Sequence, residues 1–266
     1  MPYRTYEIID VFGLHLRTWG LFVGLGLAVG AWVVTRLARR RGIPEDAVWS
    51  LAIVSAGAGV LGSRILWALQ PAVLERTLAD PLLAFRVWEG GLTFVGGLLG
   101  AFAGGLVYLR RRKLSVRRVA DVLAPGFGIG LAVGRLGCFV TGLHPGKPTD
   151  LPWGIEFLGA VRHPIPLYES ALGLVIAACA FLLLRRGLAS GLVGAAAAVV
   201  YLVGRGLLDL LRAGGGLEGA DPRLLGEVTL TQGLSLVLVP VLLVFVVHRL
   251  RTDAPELISK AEDDRV

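Results

Sequence analysis

Arg135 sits inside an apolar run, Gly134-Arg135-Leu136-Gly137-Cys138-Phe139, and the polar segment after it ends in Arg162-His163-Pro164-Ile165-Pro166-Leu167-Tyr168-Glu169. An ionisable side chain in such a run costs roughly 2.5–3.5 kcal/mol to place in a bilayer, and those that persist line a water-filled cavity or bind something. Gly134 and Gly137 leave room beside the backbone at Arg135. A second polar set, Tyr201, Arg205, Asp209 and Arg212, is spaced by four, four and three residues, so its members stack on one helical face. Guanidinium groups are planar and bind phosphate through paired N–H donors. Two of them on different helices suit an anionic phosphate, and in a membrane the obvious phosphate is a lipid headgroup.

Ion pairing competes with that reading. Glu169 or Asp209 could neutralise Arg135, and Arg205 could pair with Asp209 while still holding a ligand. Arg64, in Gly62-Ser63-Arg64-Ile65, closes an apolar run, where a long side chain suits either snorkelling to the interface or binding.

The elements that must position these groups are membrane spans. With 55% hydrophobic residues, 18% charged residues and a mean hydropathy of +0.69, the 266-residue chain is too apolar for an ordinary soluble domain. Apolar runs of spanning length, about 20 residues, fall at 19–37, 48–69, 92–109, 119–140, 168–184, 192–211 and 230–247. The expected fold is an all-α integral membrane protein of seven transmembrane helices. Glycines within the runs let helices approach closely, which predicts a single transmembrane domain over 1–251, followed by an unstructured cytoplasmic tail over 252–266.

Arginines collect after alternate runs, at Arg39 to Arg41, Arg110 to Arg112, Arg185 and Arg186, and Arg249 and Arg251. By the positive-inside rule the N-terminus is outside and the C-terminus cytoplasmic. The longer connections, 70–91, 141–167 and 212–229, then elaborate the outer face. Topology accounts for the net charge of +7 without nucleic acid as a partner. No cleavable signal peptide is apparent. Cys138 and Cys179 lie far apart in apolar runs and read as small packed residues, with no metal-ligand spacing.

At these same residues the chain resembles the phosphatidylglycerol:prolipoprotein diacylglyceryl transferases. The family signature G-R-x-G-N-F-x-N-G-E-x-x-G is similar to Gly134-Arg135-Leu136-Gly137-Cys138-Phe139-Val140-Thr141-Gly142-Leu143-His144-Pro145-Gly146. Its R-H-P-x-x-L-Y-E element resembles Arg162 to Glu169, and R-F-x-x-E-F-x-R resembles Arg205 to Arg212. Ala120-Asp121, Ala124-Pro125-Gly126 and Thr231-Gln232-Gly233-Leu234-Ser235 look like further family segments.

The resemblance implies transfer of the diacylglyceryl group of phosphatidylglycerol to the lipobox cysteine of a prolipoprotein signal peptide, at the bacterial cytoplasmic membrane, with release of glycerol 1-phosphate. It implies no metal or organic cofactor. Arg135 and Arg205 would hold the lipid phosphate, and Gly134, Gly137, Arg64, Tyr168, Glu169, Tyr201, Asp209 and Arg212 would complete the substrate site. The chain also departs from the family. A histidine often proposed as base is Val95, the signature asparagines are Cys138 and Thr141, the signature glutamate is Leu143, a first-span tyrosine is Trp19 or Gly20, and a sixth-span glutamate is Asp209. His163, or less directly His144, is the candidate replacement base. A lipid-binding membrane protein of the same fold, without chemistry, is the alternative.

Overall fold

The computed structural model describes residues 4–11, 14–86, 91, 93–157, 159–188, 190–213, 223–225 and 228–263. A hairpin of β1 (Ile8–Val11) and β2 (Leu14–Arg17) leads into α1 (Thr18–Arg40), then α2 (Glu45–Ala68), α3 (Pro71–Ala79) and a 3-10 turn at Pro81–Phe85. The chain continues through α4 (Phe94–Arg111) and α5 (Val116–Val140), the hairpin β3 (Ile155–Phe157) and β4 (Ala160–Arg162), α6 (Ile165–Arg185) and α7 (Leu192–Asp209). A last hairpin, β5 (Arg223–Leu225) with β6 (Val228–Thr229), precedes α8 (Leu230–Asp263).

Among the described residues six helices are long and apolar enough to cross a membrane: α1, α2, α5, α6, α7 and the Thr231–Thr252 part of α8. Large apolar side chains such as Leu27, Ile53, Leu207 and Leu236 are exposed along these helices. Lipid tails are the solvent that tolerates such a surface. The chain is a multi-pass membrane protein. The expected run 92–109 begins at a residue outside the described set, and its helix starts at Phe94.

Three expectations change. The tail from Thr252, expected to be unstructured, continues α8 to Asp263, in keeping with its content of Ala, Glu, Leu and Lys, all good helix formers. Cys138 is packed, whereas Cys179 is exposed on α6. The chain also divides into two compact units, residues 1–34 with 120–266 and residues 35–119. Most of the connection 212–229 lies outside the described residues.

In the first unit glycine sets the helix spacing. A β-carbon added at Gly30 on α1 would lie 2.8 Å from the carbonyl oxygen of Gly126 on α5, and one at Gly173 on α6 would lie 2.6 Å from that of Gly128 on α5. Both distances are impossible for a real side chain, so α5 is seated backbone to backbone against each neighbour. In the second unit, Ser63 on α2 and Thr93 before α4 exchange hydrogen bonds: Ser63 Oγ donates to Thr93 O at 2.6 Å and Thr93 Oγ1 to Ser63 O at 3.1 Å.

The first unit also contains a helix cap supplied from another helix. The N–H groups at the start of α7 have no partner within their own helix. Buried Asp121 on α5 accepts from Gly191 N at 2.7 Å and Gly194 N at 2.8 Å. Gly191, with φ of 98°, makes the turn that presents them. Replacing Asp121 by Ala is expected to cost about 1–2 kcal/mol or more, as for loss of a helix cap, and Asp121→Asn, which keeps one carbonyl acceptor, less. Thermal unfolding in mild detergent checks this; equal melting temperatures for wild type and Asp121→Ala would remove the cap from the stability of α7.

Candidate functional site

Helix ends build the site. Arg135 lies near the C-terminal end of α5, Glu169 just past the first turn of α6, Arg205 and Asp209 in the last turns of α7, and Arg212 just beyond them. The negative end of the α7 dipole favours cations at Arg205 and Arg212. Of the two candidate partners for Arg135, the structure selects Glu169.

One carboxylate serves two arginines. Glu169 Oε2 lies 3.1 Å from Arg135 Nε and Glu169 Oε1 lies 3.1 Å from Arg205 Nε. Arg205 also pairs through Nη1 with Asp209 Oδ1, as the four-residue spacing allows, and Arg212 Nη1 lies 3.7 Å from that same oxygen. The other Asp209 oxygen accepts from Thr229 Oγ1 at 2.7 Å. Glu169 and Asp209 are almost wholly inaccessible, at 1% and 0% of their side-chain surface, while Arg135 keeps 20%. Bringing such charges together out of water is costly unless each is matched. Among the described residues, three guanidinium groups and two carboxylates meet here.

The neighbouring groups are consistent with an open side at Arg135. A β-carbon added at Gly134 would meet nothing within 4 Å, so the expected room exists there. At Gly137 it does not: an added β-carbon would lie 2.5 Å from Phe22 Cβ, so this glycine seats α1 against α5. Cys138 Sγ stands 4.0 Å from Arg135 Nη1, and Tyr201 packs edge-on against Phe127 with ring centroids 5.3 Å apart.

The segment 141–164 is fastened beside α7 by its backbone. Lys147 N donates to Leu211 O at 2.8 Å, Ala213 N to Pro145 O at 3.2 Å and Gly146 N to His163 O at 3.1 Å, so Arg212 and His163 flank the same short stretch. Tyr168 OH accepts from Trp153 Nε1 at 2.8 Å and lies 3.3 Å from His163 Nδ1. His163 also lines a small open depression with Phe139, Leu143, Phe157 and Pro166. His144 is half-buried and adopts a left-handed backbone, φ 62°.

Two expected residues belong to the other unit. Arg64 is buried there and donates to backbone carbonyls, Nη1 to Gly91 O at 3.1 Å and Nη2 to Arg86 O at 2.9 Å and to Leu83 O, with its guanidinium 4.1 Å from the Trp67 ring centroid. Those bonds tie the segment after the 3-10 turn to α2. Val95 is half-buried in the first turn of α4. Sequence reasoning missed Thr229, although Thr229-Leu230-Thr231-Gln232 carries the S/T-x-x-E/Q pattern of a helix start.

Fold and site together define a multi-pass membrane protein with a buried arginine–carboxylate cluster. Residues 7–248 match the model of the prolipoprotein diacylglyceryl transferase family, and the chain belongs to that family. It is 37% identical over 204 residues to the phosphatidylglycerol–prolipoprotein diacylglyceryl transferase of Chromohalobacter salexigens, covering 71% of this chain and 75% of that protein. The enzymes of the same name from Clostridioides difficile and Synechococcus elongatus are 29% identical over 227 residues and 28% identical over 271 residues. They cover 85% and 96% of this chain, and 88% and 91% of their own lengths.

Removing the shared carboxylate takes the Glu169 ion pair from Arg135 and leaves Arg205 its pair with Asp209. Glu169→Gln is expected to destabilise the fold by about 3 kcal/mol, the low end for breaking a buried pair, and to do so more than Arg135→Gln, because Arg135 is the more exposed partner. Unfolding in detergent checks the order; a Glu169→Gln protein as stable as wild type would contradict it.

Proposed function

We propose that the chain transfers the diacylglyceryl group of phosphatidylglycerol to the lipobox cysteine thiol of a prolipoprotein and releases glycerol 1-phosphate. The observation that carries this reading, within the family, is the convergence of the Arg135, Arg205 and Arg212 guanidinium groups in one cluster with Glu169 and Asp209. A phosphodiester headgroup is a monoanion, which planar guanidinium groups bind through paired N–H donors.

The chemistry follows from the charges. The acceptor thiol loses its proton, its sulfur bonds to the glycerol carbon, and the carbon–oxygen bond to phosphate breaks. One more negative charge develops on the departing phosphate as that bond lengthens. Preorganised guanidinium groups at Arg135 and Arg205 would stabilise this growing charge more than they stabilise the bound lipid, which is the condition for acceleration. Glu169 and Asp209 would hold the guanidinium groups, with Arg212, Tyr168, Tyr201 and Gly134 around them. His163, beside Tyr168 and the depression, is the proposed acceptor of the thiol proton.

Placement in the membrane completes the reading. The six apolar helices together with α4, 18 residues long and about 27 Å at the helical rise, make seven spans. Arginines in the last turns of α1, α4 and α6 support a cytoplasmic location for those ends, an outer N-terminus and a site at the outer face of the bacterial cytoplasmic membrane.

The test is purified protein in detergent with phosphatidylglycerol and a lipobox peptide, following glycerol phosphate release and the mass gain on the peptide cysteine. The two products should appear together. Lipid binding with neither product, beside an active family member, would favour the non-catalytic reading and implicate Val95. In the same assay Arg135→Ala and Arg205→Ala should each lower turnover by roughly 100-fold or more, the loss typical of a preorganised donor, and Arg64→Ala by less. Near-normal turnover by Arg135→Ala would sink its assignment to the phosphate. Val95→His should raise activity or leave it intact; a folded variant without activity would show that this position has no part in proton transfer here.

A further inference from the structure

The start of α8 uses the same side chains for two jobs. Gln232 N donates to Thr229 Oγ1 at 3.2 Å, and Thr229 N donates to Gln232 Oε1 at 3.1 Å, a reciprocal cap that satisfies two N–H groups at the helix start. The cap engages the Thr229 hydroxyl only as an acceptor. Its proton is given to Asp209 Oδ2, the oxygen opposite the one that pairs with Arg205. Gln232 Nε2 meanwhile donates to Gly206 O at 3.2 Å, next in sequence to Arg205, and Ser235 Oγ donates to Leu202 O at 2.9 Å. The stretch of α7 that carries Arg205 is therefore tied to α8 at its backbone on both sides of the arginine and through the carboxylate that holds the guanidinium.

We propose that Thr229 is a positioning residue for transfer: its hydroxyl, oriented by the cap with Gln232, fixes the Asp209 carboxylate and through it the pose of the Arg205 guanidinium toward the lipid phosphate. This rests on the reading of Arg205 as a phosphate ligand. A buried carboxylate held at one oxygen can still turn about its terminal torsion, which is soft. A donor on the second oxygen removes that freedom, and the bond is charge-assisted, hence strong. A cap that only starts the helix would have no use for the hydroxyl proton, whereas here the proton goes to the arginine's partner.

The role separates from simple helix capping by a double-mutant cycle on the full chain in detergent, with phosphatidylglycerol and a lipobox peptide. Thr229→Val should lower kcat/KM for the lipid about tenfold, the loss of one hydrogen bond to a charged group, with KM for the peptide unchanged. Thr229→Ser should restore it, and Thr229→Cys, close in size with a weak donor, should fall between and serves if the valine variant does not fold. With Asp209→Asn already present, Thr229→Val should cost less than about a further twofold, because the hydroxyl acts through that carboxylate. A full tenfold further loss in the double variant, or unchanged lipid kcat/KM in Thr229→Val, overturns the proposal. A wild-type chain that makes no product counts against the transferase reading instead. The same cycle is then read as binding to phosphatidylglycerol vesicles, where equal affinity of wild type and Thr229→Val overturns the positioning role.

Discussion

Glu169 is the group around which the first unit is organised. A carboxylate with 1% of its side chain accessible is costly to bury unless opposite charge is set against it, and each of its oxygens has a guanidinium nitrogen at 3.1 Å. Those cations come from different helices, Arg135 from α5 and Arg205 from α7, while Glu169 itself belongs to α6. The ends of three helices are thereby required to converge on one point. Asp209 extends the arrangement by engaging Arg205 and Arg212.

Such convergence depends on how closely the helices lie further along. The Gly128–Gly173 approach seats α6 on α5, so that a turn beyond it Arg135 and Glu169 meet without long side chains stretched across a gap. Toward the opposite end of α5, Asp121 reaches the first N–H groups of α7. Helix α5 is consequently fixed to its neighbours by an ion pair near one end, backbone contact in the middle and a cap near the other. With no hydrophobic force between helices in lipid, packing and polar contacts of this kind are what remain to hold them.

Much of this was legible in the sequence because the bilayer constrains it so strongly. Runs of about 20 apolar residues mark helices wherever they occur, and an arginine among them has few ways to be tolerated. The four-residue step from Arg205 to Asp209 allowed their pairing without requiring it, and the pair is formed. The choice between Glu169 and Asp209 for Arg135 was open, since spacing along one chain says nothing about which helices are neighbours. Gly137 looked like room for a ligand and is filled by Phe22, because a glycine in sequence does not say which side chain faces it. Cys179 and the helical tail depart from expectation for related reasons: apolar composition identifies a span without identifying its buried face, and charge along a tail does not forbid a helix. The role of Thr229 was hidden behind a local pattern that explains it fully as a cap; only its distance to Asp209 reveals a second use.

The departures from the family pattern bear on which part of the reaction this chain can still support. Valine at position 95 cannot carry a proton, yet the charged groups that would meet the departing phosphate are all in place and matched to one another. Displacement at carbon with a phosphate leaving group demands two things, a thiolate and a site that tolerates a growing negative charge. The first is a modest demand, since a thiol ionises within about two units of neutral pH. The second cannot be met from bulk water inside an apolar bundle, where an uncompensated charge is far more costly. In the reading proposed above, a chain with valine at position 95 that keeps a buried cluster of arginines and carboxylates retains the harder of the two, and the imidazole of His163, on the same tethered segment that flanks Arg212, is the proposed means of meeting the easier one.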